Sequence, residues 1–129
     1  MTWLSDIGDY LQTAGYGTVG ASIHFYNFDS LTQNDVALIP FSIGEYNRVI
    51  SKETTNPKPS GLEVAVRNSD AETAFNKVTS IYELLRTVSN QYIGSTKFIY
   101  IVADASPGFV SYTAGNSFIF TVNFSLLIQ

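Results

Sequence analysis

Gly15-x-Gly17-x-x-Gly20, within AGYGTVGA, has the glycine spacing of a dinucleotide-binding turn. That chemistry needs a strand before the glycines and a helix after them, so that a pyrophosphate meets free helix amides. Here the order is reversed. Trp3, Leu4, Ile7, Tyr10, Leu11 and Ala14 recur at spacings of three and four, which predicts a helix over Thr2–Thr13 capped by Thr2 or Ser5. After the glycines, Ile23 and Phe25 alternate with His24 and Tyr26, the pattern of a strand within 21–28. The glycines therefore turn the chain from helix to strand, and no nucleotide or other cofactor is expected. The remaining inventory is sparse. The single histidine, His24, sits mid-strand among aromatics and reads as packed rather than catalytic. There is no cysteine to serve as thiolate, zinc ligand or disulfide partner, and no G-x-S-x-G elbow. Asp29, Asp35, Glu45, Glu53 and Asp104 lack the spacing of an acid–base pair. DSLTQND lacks the glycine and terminal glutamate of a calcium loop. The expectation is a protein that is not an enzyme and holds no metal.

Composition points the same way. The 129 residues suit a single domain, 1–129, able to bury roughly 65–70% of its extended surface. Net charge is −4 with only seven scattered basic residues, which argues against a surface that grips phosphates. Charged residues are 14% of the chain and aromatics another 14%. Such a balance fits either a surface that meets other proteins or an aromatic β core. MTWLSDIGDYLQ has acidic residues and no basic one, unlike a signal or transit peptide, and no apolar run reaches the ~20 residues of a membrane span. The chain is expected in solution, in a cytoplasm, with no membrane partner.

The elements that must carry any working surface follow from periodicity. VALIPFSI, Val36–Ile43, is a short apolar strand whose Pro40 calls for an edge or bulge. GEYNRVISKETTNPKPSG, residues 44–61, is a polar stretch longer than common loops, and reads as an arm stiffened by Pro57 and Pro59. Leu62, Val64 and Val66 alternate with Glu63, Ala65 and Arg67, a strand buried on one face. Glu63 and Arg67 share its other face. Ser69-Asp70-Ala71-Glu72 then reads as a capping box opening a helix, with Ala71, Ala74, Phe75, Val78, Ile81, Tyr82, Leu85 and Val88 on one stripe. KFIYIVA is a strand, DASPGFVSYTAGN a loop or loose hairpin, and the alternation from Ser117 to Ile128 a long final strand. The predicted architecture is α+β: a mostly antiparallel sheet of about five strands with two helices packed on it.

Four segments taken in order resemble the tail terminator, or minor capsid, proteins of long-tailed bacteriophages. They are GYGTVGASIHF, VALIPFSIGEYNR, LEVAVRNSDAETAFNKVTSIYELL and IYIVADASPGFVSYTAGNSFIFTVNFSLLI. Arg67 with the cap that follows it, and Ser106-Pro107 before the last strand, carry most of the likeness; the uncharged Ser111–Asn116 departs from it. The resemblance implies a structural virion protein at the head–tail junction. Copies would form a hexameric ring that caps the tail tube, faces the head connector and lets DNA pass without specific binding. It implies contacts with the tail tube protein and a head completion protein. Tyr46, Arg48, Lys52, Lys58, Arg67, Phe109 and Tyr112 are the expected subunit or ring interface. Another phage neck connector, or a monomeric binding module, would fit the same residues.

Overall fold

In the computed structural model, residues 2–28, 34–42, 58–112 and 117–129 are described. The chain runs α1 (Trp3–Thr13), β1 (Ile23–Phe25), β2 (Asp35–Phe41), β3 (Lys58–Asn68), α2 (Ala71–Leu85), β4 (Ser89–Ile93), β5 (Thr96–Ala103), β6 (Gly108–Tyr112) and β7 (Phe118–Ile128).

Thr2 caps α1, its hydroxyl accepting from the Ser5 amide at 3.3 Å. The helix ends in a Schellman arrangement. Tyr16 N–H donates to the Leu11 carbonyl and Gly15 N–H to that of Gln12, with Gly15 at φ +92°. Asp70, not Ser69, caps α2. Its carboxylate accepts from the Thr73 amide at 3.0 Å, while the Ser69 amide donates to Asn34 Oδ1 at 3.2 Å. An ionised carboxylate is the stronger acceptor for a free helix amide. Near the start of α1, the buried Asp6 accepts from the hydroxyls of Ser95 and Thr96, tying α1 to the β4–β5 turn.

The sheet has the order β1-β2-β3-β7-β5-β4, with β6 also on β7. β1 pairs with β2 in parallel and every other pair is antiparallel. This mixed, mostly β sheet of seven strands curls into a half-barrel and corrects the expected α+β arrangement with a mostly antiparallel sheet of about five. Two strands escaped the pattern. β4 is SNQYI, polar and largely exposed along one edge, with Asn90 at φ +46°. β6 begins just after Pro107 and carries a bulge at Val110, which breaks the period of two. The parallel β1–β2 pair leaves no mark in the spacing of apolar residues; Tyr26, directly after β1, has φ +73°. β3 starts at Lys58, so Lys58–Gly61 belong to the sheet rather than to the 44–61 arm, and Pro59 is paired with Leu127. Residues 44–57 lie outside the described ones. Pro40 lies beyond the stretch where β1 covers β2, at an edge as its missing N–H requires.

One core holds the fold together. Leu4, Ile7 and Leu11 of α1 and Ala74, Val78, Ile81 and Leu85 of α2 pack on the same sheet face as Leu38, Val64, Val66, Val122, Phe124 and Leu126. Phe75, expected on that stripe, is 44% exposed. Among the described residues, no helix is long and apolar enough to cross a membrane.

Candidate assembly surface

β7 is longer than the helices that cover it. Its second half carries the buried Phe124 and Leu126, whereas Phe118 and Phe120, on the same face, are only partly buried. There β6 pairs across, setting Phe109 against Phe120 and Tyr112 against Phe118. Five rings form a connected cluster. Phe75 meets Phe120 edge-on at 5.7 Å, and Phe109 meets Phe120 at 5.5 Å. Phe109 and Phe118 lie 6.4 Å apart, and Tyr112 and Phe118 4.6 Å. Such tilted and edge-on pairs are favourable beyond their buried area. The outer rings stay in water, Phe109 at 56% exposure and Tyr112 at 53%, and Val110 between them on β6 is 57% exposed. Gly108–Tyr112 and Phe118–Ser125 contain no charged residue.

Arg67 does something else. Its Nε and Nη2 donate to Asp35 Oδ1 and Oδ2, both at 2.9 Å, and Phe28 covers the guanidinium at 4.5 Å. Asp35 is fully buried and lies opposite Arg67 in the β2–β3 register. The pair is therefore a clasp between two strands. His24 Nε2 lies 3.7 Å from Asp35 Oδ2 with no hydrogen-bond partner among the described residues. Burial pushes the Lys77 amine below its ordinary value, and Asp35 opposes that shift. The carboxylate that engages Arg67 is thus Asp35, and Glu63, although on the same strand face, is not its partner.

The expected interface residues separate accordingly. Phe109 and Tyr112 come together in one exposed cluster. Lys58 stands exposed at the start of β3, and Arg67 is held inside the clasp. Tyr46, Arg48 and Lys52 lie outside the described residues. Phe75, Phe118 and Phe120 join the cluster although their spacing assigns them to the core. Periodicity gives the face a residue is on and not how far a helix extends over it.

An open groove of about 480 Å³ lies beside Tyr16, Thr79, Ser80, Glu83, Leu84 and Thr87. Among the described residues no three His, Cys, Asp or Glu side chains cluster as metal ligands would.

The family model described as "Bacteriophage tail terminator protein" matches residues 10–129, which include β1 to β7 and α2. The chain belongs to the bacteriophage tail terminator family. As a member it is a structural virion protein of the tail. No curated protein matches it. Among solved structures, a chain from "Virion of native gene transfer agent (GTA) particle" is similar in fold, with a TM-score of 0.55. Identity is 10%, over 84% of this tail terminator and 79% of that chain. The resemblance read from the four sequence segments is thus met by the family match.

Proposed function

We propose that this protein is a ring-forming terminator at the head–tail junction. Copies settle on the last ring of the tail tube, stop its growth and offer their other side to a head completion protein. The observation that carries this reading is the tail terminator match across residues 10–129. A ring needs two unlike contact surfaces on each copy, because only a head-to-tail contact can close a cycle of more than two. The uncharged aromatic cluster is one such surface on this reading. Six copies is the number that the family likeness implies. On this reading the protein transforms no substrate and needs no cofactor. It is made in the host cytoplasm and resides in the virion neck.

The acidic balance has a use in such a ring. Glu63, on the β3 face opposite the core residues Leu62, Val64 and Val66, lies across from Asn123 in the β3–β7 register, and the Asp104 carboxylate accepts from the Ser125 hydroxyl at 2.8 Å. Carboxylates on that face, lining a channel, would repel passing phosphates and keep DNA from adhering.

The test is tube length. Tail tube protein polymerised in vitro should give tubes of uncontrolled length alone and short capped tubes when this protein is added, as read by electron microscopy. Unchanged length distributions, with no protein at tube ends, would overturn the proposal.

A further inference from the structure

We propose that the β6–β7 aromatic cluster is the surface through which one copy of this chain docks on another. The inference rests on the assembly reading above and deepens it by naming the occupant. Two features select a second copy. The first is charge. The chain carries −4 overall, so copies repel wherever both present carboxylates, whereas Gly108–Tyr112 and Phe118–Ser125 present none. A surface made for an oppositely charged partner would carry charge of its own; this one offers Phe109, Val110, Tyr112 and the rim of Phe75.

The second is area. With about 150–250 Å² for each aromatic side chain and about 150 Å² for Val110, the exposed fractions of these four residues sum to roughly 400 Å². A stable pair needs about 800 Å² from each partner. The cluster supplies about half of that, too little for a tight pair in dilute solution. It suits a closed array, where every copy is held once through its cluster and once through the surface that accepts its neighbour's. Tyr26, just past the end of β1, and Tyr92, on β4, are each 68% exposed and have no ring partner among the described residues.

The bulge at Val110 favours docking by side chains over strand addition. It disturbs the ladder on β6, which pairs with β7 alone among the described residues, and bulges of this kind blunt a sheet edge against indiscriminate pairing.

Sedimentation of the purified chain from micromolar to millimolar concentration tests the proposal. The unaltered chain should pass from monomer to assemblies at the upper end. Val110→Asp and Phe109→Ser should weaken this association by about tenfold or more, while Tyr92→Ser, at a still more exposed position on β4, leaves it unaltered. Thermal melts verify that each variant is folded; Val110→Asp is the safer of the two because Val110 is exposed and lies in the bulge. A chain that stays monomeric at millimolar concentration overturns the proposal. So do cluster variants that associate like the unaltered chain, or a Tyr92→Ser loss of the same size. Tube capping is read separately. Self-association through the cluster without tube capping leaves this inference standing and removes the terminator reading. Cluster variants that still self-associate but no longer bind tubes assign the surface to the tube protein and refute the copy-to-copy contact.

Discussion

Asp35 and Arg67 form the most demanding contact in the molecule. A fully buried carboxylate is costly unless its charge is matched, and the guanidinium fork matches it twice at 2.9 Å under the Phe28 ring. Asp35→Ala should therefore cost about 3 kcal/mol in urea unfolding, since it removes both carboxylate bonds from Arg67, which is only 15% exposed. Arg67→Lys should be nearly as harmful, because an ammonium cannot reproduce the fork. A loss below about 1 kcal/mol, the worth of a surface pair, would contradict the clasp. Asp70 gives a pH signature. The Thr73 hydroxyl and amide hold its carboxyl below the ordinary value of 3.8. A folded-state value lowered in this way contributes stability above the unfolded value and loses it as pH falls through the folded one. Asp70→Ala should thus be less stable than the parent at neutral pH, with the gap closing on acidification below that range. Melts showing a gap independent of pH would sink the cap.

Among the elements, α2 shows both the reach and the limit of periodicity. Its stripe predicts the buried Ala74, Val78, Ile81 and Leu85, but it also enlists Phe75, which lies past the edge of the core. Ile81→Ala should cost about 2–5 kcal/mol by opening a cavity, and Phe75→Ala clearly less. Equal losses by denaturant melt would show that Phe75 is a core residue after all. The helix-to-strand turn was legible for a simpler reason: glycine spacing after a helix and before a strand excludes the nucleotide geometry. Gly17 has φ +150°, and a Cβ there would meet Ser22 Oγ at 2.7 Å and Ile23 Cγ1 at 2.9 Å. Gly17→Ala should then destabilise the fold by about 1–3 kcal/mol, and no nucleotide should rescue it in a melt. Stabilisation by NAD or ATP would reopen the rejected fingerprint. β4 and β6 could not be read, because an edge strand of mixed polarity, or one with a bulge, has no alternation to detect. The Asp35–Arg67 pairing escaped as well: register between strands 32 residues apart is a property of the fold.

At the scale of the whole molecule, the sequence supports one helix-covered sheet face and an aromatic final stretch, residues 105–129, without a charged side chain. What it cannot convey is the curl of the sheet and how far two short helices cover it. That mismatch leaves five rings at one end of the core, three of whose residues look like interior positions when read from spacing alone. The family match makes the chain a tail protein, and the exposed cluster is the surface proposed above for its assembly. Electron cryo-microscopy of assembled particles carrying this chain tests the account most directly. The predicted result is a closed ring of copies between the last ring of the tail tube and the head connector. Density for the chain elsewhere in the particle, as isolated copies, or nowhere in it would contradict the account.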